Sequence, residues 1–203
     1  AIVLRPGSAE HLERRASLFI RDSVHGPFEG TCTVDHERQA FLINGNVVQI
    51  VYANGPDEID YTQYGIDDAI VIDNTGKWRD AQALSLHLKS PGASRVILTA
   101  PGKGVPNVVF GVNHDTLTGD ETVVSAASCT TNAIVPVLAT LDEAYGIEHG
   151  HLETVHAYTN DQNLIDNFHK KDRRGRGAPL NLVITSTGAA SAAALALPQL
   201  AGK

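Results

Sequence analysis

The sequence predicts an α/β fold built on a parallel β-sheet with a small antiparallel insertion. From residue 68 onward, short apolar runs alternate with segments of helical periodicity. These runs are apolar on both faces, which is typical of parallel strands that helices cover on both sides. Between residues 31 and 52, three β-branched runs follow one another without helices, and an Asn-Gly turn signal separates the last two.

The chain begins with a predicted strand over residues 1–4, which Pro6-Gly7 ends. Apolar residues at helical spacing then predict a helix over residues 9–20, and a turn-rich loop follows at 22–27. The strands of the insertion are expected at residues 31–34, 41–43 and 47–52. Because the chain opens on an apolar strand without an initiator methionine, we expect it to be an internal piece of a longer protein.

Strands and helices alternate in the following segment. We predict strands at residues 68–72, 95–98, 107–112 and 122–124, and a helix at 79–88. Ligands of parallel sheets bind at the carboxyl ends of the strands, where this chain places Thr75-Gly76, Thr99-Ala100 and Cys129. Small residues also punctuate ordinary turns, so the pattern alone is consistent with a ligand crevice and with simple turns.

Cys129 lies in a loop of small residues, 125–133, between a strand and a predicted helix. That helix ends at Gly146, and we expect it to tolerate Pro136 because this proline falls near its first turn. At a helix N-terminus, unpaired N–H groups and the helix dipole, about half a unit of positive charge, favour the thiolate. A cysteine among small residues can equally be a buried small hydrophobe.

A second candidate for chemistry is His156. Alternating residues predict a strand over 152–158, with Thr154, His156 and Tyr158 on one face. Histidine is suited to taking the proton of a cysteine nucleophile near neutral pH, although a lone strand histidine also has structural roles. His149 and His151 could imitate a metal site, but the absence of a nearby Cys or carboxylate cluster predicts no metal.

The composition excludes several classes of protein. Hydrophobic residues make up 42% of the 203 residues, the formal net charge is −7, and there are only two cysteines. The acidic balance argues against nucleic acid as main partner, and no apolar run approaches the roughly 18 residues that cross a bilayer. Two cysteines are too few for a disulfide framework, so we expect a soluble cytoplasmic protein with no membrane partner.

Two segments together resemble the active site of the glyceraldehyde-3-phosphate dehydrogenase family. They are Ser125-Ala126-Ala127-Ser128-Cys129-Thr130-Thr131-Asn132 and Thr154-Val155-His156-Ala157-Tyr158-Thr159, and the interval between cysteine and histidine also matches the family. Further family landmarks follow in order at residues 22–26, 74–76, 99–101, 111–115, 173–176 and 186–190. The resemblance covers nearly the whole chain. It implies a Rossmann-like parallel-sheet cofactor domain over residues 1–128, with an antiparallel strand insertion, and the start of an α+β catalytic domain over 129–203, both incomplete.

The resemblance implies an NAD- or NADP-dependent enzyme that oxidises and phosphorylates glyceraldehyde 3-phosphate. Cys129 would be the nucleophile and His156 the base, and a thioester would be cleaved by inorganic phosphate. The phosphate groups would be held by Ser128, Thr130, Thr159, Arg174, Thr187 and Gly188. The cofactor would contact Thr75, Gly76, Thr99 and Ala100. The family resemblance also implies a homotetramer.

The chain departs from the family in ways that affect the cofactor. The Gly-rich phosphate turn that should precede Ala1 is absent, as is everything the family carries after Lys203. Arg5 stands near the place of an acidic residue that would bind the adenosine ribose, so NADP is a second candidate cofactor. Two alternative functions remain: a paralogue that oxidises erythrose 4-phosphate, and a catalytically silent cofactor-binding module.

Overall fold

The computed structural model describes residues 1–7 and 10–203, which form two compact units, residues 1–97 and 98–203. The predicted start of the first helix at Ala9 lies outside the described residues. Among the described residues, no helix is both long enough and apolar enough to cross a membrane.

The first unit contains a mixed four-stranded sheet. The strands of this sheet are β1 (Ile2–Leu4), β4 (Cys32–Asp35), β5 (Ala40–Ile43) and β6 (Asn46–Tyr52). Between β1 and β4 the chain forms the helix α1 (Glu10–Ile20) and a separate hairpin of two short strands, β2 (Arg21–Asp22) and β3 (Gly26–Pro27). The strand order is β1-β6-β5-β4. β6 pairs antiparallel with β5 and parallel with β1, so the antiparallel insertion is confirmed but shares one sheet with the first strand.

α1 covers one face of this sheet. Its apolar stripe places Leu12 and Ala16 against Phe41 and Ile50, and all four side chains are buried. The helical spacing of the apolar residues in 9–20 therefore has the packing role that the sequence predicts. Cys32 is half-buried at the edge of this cluster.

The rest of the first unit begins with a 3₁₀ turn, Tyr61–Tyr64, and the strand β7 (Ala69–Asp73). The helix predicted over 79–88 is shorter than expected: α2 spans only Ala81–Leu84 and continues as a 3₁₀ helix, Ser85–Lys89. Asp80 caps α2 by accepting the Ala83 N–H at 2.9 Å. The Ser85 hydroxyl donates to the Ala81 carbonyl at 2.6 Å and competes with the α-helical pattern there.

The strand β8 (Ala93–Leu98) leads into the second unit, which contains β9 (Val123–Ser125). The prediction of a strand at 107–112 is wrong, because only Asn107 pairs, in an isolated parallel bridge to Ser125. The Asn113 side chain accepts the Val109 N–H at 2.7 Å and donates to the Asn107 carbonyl at 3.1 Å. These side-chain bonds turn the backbone away from a ladder.

Two helices pack together in the second unit, α3 (Cys129–Tyr145) and α4 (Ala189–Ala196). Buried Val135 of α3 belongs to one apolar cluster with Ala193 and Ala196 of α4. The expectation for Pro136 is wrong, because this proline lies inside α3 beyond the first turn and cannot donate to the carbonyl four residues earlier. The packing of Val135 stabilises the helix at this point.

The strand predicted over residues 152–158 is also wrong. These residues have no regular secondary structure, and residues 153–160 are exposed. An alternating sequence becomes a strand only when a neighbouring strand takes its backbone hydrogen bonds. Within the described ranges no strand lies beside this segment, so His156 is positioned by its own contacts and not by a sheet face.

Candidate active site

The turn before Cys129 is held in a strained backbone conformation. Ala127 is buried and has a positive φ of 58°, which side-chain-bearing residues adopt at a cost of about 1–2 kcal/mol. The Asn132 side chain donates to the carbonyls of Ala126 (2.7 Å) and Ser128 (2.9 Å) and so fixes the turn. The strained backbone thus lies directly beside the candidate nucleophile, as is common at active sites.

Cys129 is the first residue of a 17-residue helix. Ser128 is the N-cap, and its hydroxyl accepts the Thr131 N–H at 3.0 Å. The predicted position of Cys129 at a helix N-terminus is therefore confirmed. The helix dipole and the free N–H groups of the first turn stabilise negative charge on its sulfur.

His156 faces Cys129. The distance from Cys129 Sγ to His156 Nε2 is 3.5 Å, and His156 Nδ1 lies 2.6 Å from the Ala157 carbonyl oxygen. Since a carbonyl only accepts, Nδ1 must carry a proton, and this leaves Nε2 free to take the proton of the thiol. Both side chains are exposed, so a substrate can approach the sulfur.

The pKa values of the two groups move toward each other. The hydrogen bond from His156 lowers the pKa of the Cys129 thiol, and the Thr130 hydroxyl, 4.0 Å from the sulfur, adds to this effect. The contacts with Cys129 and the Ala157 carbonyl raise the pKa of His156, while the charge of Arg174 partly opposes this. Both shifts favour the charged form of the group, so they stabilise the thiolate–imidazolium pair relative to the neutral thiol and imidazole.

The two cysteines of the chain are expected to react at different rates. Burial raises the pKa of Cys32, whereas that of Cys129 is lowered. At a mildly acidic pH of about 6.5, iodoacetamide should therefore alkylate Cys129 roughly tenfold or more faster than Cys32. Mass spectrometry of timed digests measures both rates, and the chain unfolded in urea is the control, in which the rates should converge. Equal rates in the folded chain would contradict an activated thiolate.

The phosphate-binding candidates fall into three places in the second unit. Ser128 and Thr130 flank Cys129 at the start of α3, and Thr187 and Gly188 precede α4, where the Thr187 hydroxyl accepts the Ala189 N–H at 3.2 Å. Thr159 and Arg174 lie near Asp161. The structure brings Cys129, His156 and Thr130 into contact, and Arg174 is close enough to lower the pKa of His156.

Sequence reasoning missed Asp161, which organises the basic loop. Its carboxylate pairs with Arg174 and with Lys171 at 3.4 Å, and His169 lies 3.8 Å away. Burial raises the pKa of Asp161, but the positive charges of Lys171 and Arg174 lower it by a larger amount. The net shift of this pKa is therefore downward. The available signal was a carboxylate two residues after Thr159, followed by a run of cations.

The cofactor candidates of the first unit lie at strand ends. Thr75 and Gly76 follow β7 in an exposed turn, in which Gly76 has a positive φ of 69°. Asp73, which sequence reasoning also missed, accepts the N–H and the hydroxyl of Thr75, both at 2.8 Å. Arg5 follows β1 and is exposed.

In the second unit, Thr99 and Ala100 directly follow Leu98, the last residue of β8. Thr99 is exposed, and the Ala100 carbonyl accepts the Ser125 hydroxyl at 2.7 Å. Among the described residues, including His149 and His151, no group of three or more His, Cys, Asp or Glu side chains is placed to hold a metal ion.

Comparisons with known proteins identify two domains in this chain. Residues 128–203 match the family model of the C-terminal domain of glyceraldehyde 3-phosphate dehydrogenase, and residues 5–81 match that of its NAD binding domain. These matches confirm the predicted fold class, a Rossmann-like parallel-sheet cofactor domain with antiparallel strands followed by the beginning of the catalytic domain.

Three curated proteins illustrate the similarity. A glyceraldehyde-3-phosphate dehydrogenase-like protein of Pseudomonas aeruginosa (strain UCBPP-PA14) is 63% identical, over 100% of this chain and 44% of the relative. A glyceraldehyde-3-phosphate dehydrogenase of P. aeruginosa (strain PAO1) is 43% identical, over 93% of this chain and 55% of the relative. A glyceraldehyde-3-phosphate dehydrogenase of Zymomonas mobilis is 41% identical, over 100% of this chain and 62% of the relative. The chain thus spans about half the length of the curated relatives it matches.

Proposed function

The chain belongs to the glyceraldehyde-3-phosphate dehydrogenase family, and on this premise we propose that it carries the nucleophile and cofactor contacts of an NAD- or NADP-dependent enzyme that oxidises and phosphorylates glyceraldehyde 3-phosphate. The observation that carries the proposal is the contact of 3.5 Å between Cys129 Sγ and His156 Nε2 at the N-terminus of α3. A nucleophile, its base and a helix N-terminus are the groups that acyl transfer through a thioester requires.

The thiolate of Cys129 attacks the aldehyde carbon, and protonated Nε2 of His156 gives its proton to the oxyanion that forms, which yields a hemithioacetal and a neutral imidazole. Nε2 of His156 takes the hydroxyl proton of this adduct as the carbon is oxidised to the thioester. A bound nicotinamide supplies the hydride acceptor for that oxidation. Inorganic phosphate then attacks the thioester carbon, the C–S bond breaks, and an acyl phosphate leaves as the thiolate of Cys129 is restored.

The oxyanion of the adduct is stabilised by two groups of this chain. The backbone N–H of Cys129 is one of the unpaired donors at the start of α3, and the His156 side chain is the second. Removing one donor of this kind typically costs about 2.7–4 kcal/mol of transition-state stabilisation. The helix N-terminus thereby serves both the thiolate and the oxyanion.

The phosphate groups of the substrate and of inorganic phosphate bind to hydroxyls, a backbone N–H and a guanidinium. These groups belong to Ser128, Thr130, Thr159, Arg174, Thr187 and Gly188. Asp161 occupies one side of the Arg174 guanidinium, which leaves further donors of the planar fork available for phosphate oxygens.

The residues at the strand ends fit contacts to a dinucleotide. Thr75 and Thr99 are exposed residues, and Gly76, next to Thr75, is exposed and has a positive φ. Arg5, exposed after β1, is suited to a 2′-phosphate, so NADP is proposed beside NAD. We further propose a boundary between cofactor and catalytic domains at 128/129, a homotetramer and a cytoplasmic location.

We expect the protein that carries this chain to reduce the cofactor with glyceraldehyde 3-phosphate only when inorganic phosphate or arsenate is present. The reason is that the thioester on Cys129 must be cleaved before another turnover. Absorbance at 340 nm measures the rate, first with NAD and then with NADP, and assays with erythrose 4-phosphate compare kcat/KM for the two aldehydes.

Each outcome of this assay separates the proposed function from an alternative. Equal turnover without phosphate or arsenate would overturn the phosphorylating mechanism. A higher kcat/KM for erythrose 4-phosphate would identify the paralogue, whose pocket could use the same residues. Cofactor binding without turnover would identify a silent module, which the close contact of Cys129 with His156 disfavours.

A further inference from the structure

A buried histidine–aspartate pair contacts the turn that follows β7. Asp73 is the last residue of β7 and its side chain is 0% exposed, while His87, in the 3₁₀ helix after α2, is 9% exposed. His87 Nε2 lies 2.9 Å from Asp73 Oδ2. The other carboxylate oxygen, Oδ1, accepts the N–H and the hydroxyl of Thr75. One carboxylate therefore connects the histidine to the turn.

This carboxylate is held ionised inside the protein. Burial raises the pKa of Asp73, but the hydrogen bonds from His87 and Thr75 lower it more, and the net shift is downward. An ionised carboxylate only accepts, so His87 Nε2 must carry a proton. A buried carboxylate is tolerated only while such donors satisfy it.

The His87 ring contacts Trp78 as well as Asp73. It lies edge-on to Trp78, with centroids 5.7 Å apart, and its buried Nδ1 has no hydrogen-bond partner among the described residues. The arrangement therefore leaves a buried polar atom unsatisfied in order to direct Nε2 at Asp73. A buried polar atom without a partner needs an explanation, and the bond that Nε2 makes with Asp73 provides one.

We propose that His87 is a positioning residue for the cofactor-binding turn Thr75-Gly76: by holding Asp73 Oδ2, it aims Oδ1 at Thr75 and fixes the turn before the cofactor arrives. This inference rests on the proposed function for the role of the turn. The hydrogen bonds that anchor the turn extend to Lys77, because the Thr75 hydroxyl accepts the Lys77 N–H at 3.1 Å. A turn fixed in advance loses less conformational freedom when a ligand binds.

The test compares two amide variants in the full chain, His87→Gln and His87→Asn. Gln carries an N–H donor at nearly the reach of Nε2, whereas Asn has the same chemistry but is too short to span the contact with Asp73. The matched control is His36→Asn. His36 Nε2 lies 2.9 Å from Glu13 Oε1, the same distance, but both side chains are more than half exposed.

Two measurements follow. In hydrogen exchange without cofactor, the protection of the Thr75 and Lys77 amides should fall roughly tenfold or more in His87→Asn and be largely kept in His87→Gln. The protection of the β6 amides should stay unchanged, which checks that global stability is the same. Titration with NADH or NADPH, followed by quenching of Trp78, the single tryptophan, should show a similar loss of affinity in His87→Asn alone.

The outcomes are distinct. Unchanged protection at Thr75 in His87→Asn, or an equal loss in both amide variants, would overturn the positioning role. If β6 also loses protection in His87→Asn, the comparison rests on His87→Gln, which must keep the parent's protection and affinity for the proposal to stand. Failure of the parent to bind either NADH or NADPH would count against the proposed function, while the exchange result would still decide the anchoring.

Discussion

Replacing Cys129 by serine is expected to lower kcat of the protein that carries this chain by roughly 10⁶-fold, the size of the loss when a serine protease loses its covalent nucleophile. The helix N-terminus and His156 ionise a thiol readily, but they cannot bring the far weaker acid of a serine hydroxyl to a comparable charged fraction. Steady-state reduction of the cofactor at saturating aldehyde and phosphate measures the effect.

The control for this variant is Cys32→Ser. Cys32 is half-buried against the α1 side of the first sheet, and burial raises the pKa of its thiol, so it has no part in the proposed chemistry. Its replacement should leave kcat within about twofold of the parent. Activity of Cys129→Ser above about one tenth of the parent would exclude the thioester mechanism.

The features that the sequence predicts correctly are those decided by neighbours along the chain. The N-terminus of α3 follows from the capping hydroxyl of Ser128, and its end follows from Gly146. The hairpin between β5 and β6 follows from the Asn-Gly signal between two apolar runs. In each case local propensity and the final packing agree.

The features that the sequence predicts wrongly depend on which groups form hydrogen bonds with the backbone. These groups are a side chain in one case and a neighbouring strand in the other. Residues 107–112 are apolar enough for a strand, yet the Asn113 amide takes the hydrogen bonds that a ladder would need. Residues 152–158 alternate correctly, but no strand lies beside them in the described part of the chain.

The candidate site shows the same division. Cys129 and His156 could be identified from motif and spacing, whereas the roles of Asp161 and Asp73 arise from contacts with Arg174 and His87 further along the chain. Periodicity contains no information about such pairs, because each partner is an ordinary polar residue in its own segment.

Replacing His156 by asparagine is expected to separate its two roles by their dependence on pH. The hydrogen bond from His156 is the largest cause that lowers the pKa of Cys129, so the pKa of the thiol should return toward its ordinary value in the variant. The midpoint of Cys129 alkylation then moves to higher pH. At a fixed pH below both midpoints, the variant reacts about tenfold more slowly for every pH unit that separates its midpoint from the parent's. Above roughly pH 9 the variant and the parent should converge.

Turnover should respond differently, because the adduct still needs a base after the thiolate has formed. We expect kcat of His156→Asn to fall by roughly 10²–10⁴-fold and to stay low at high pH, where the alkylation rate has recovered. His151→Asn is the matched control, since His151 is exposed on the same segment. Recovery of kcat together with alkylation at high pH would mean that His156 only activates the thiol. An alkylation midpoint unchanged from the parent would mean that the helix N-terminus alone lowers the pKa of Cys129.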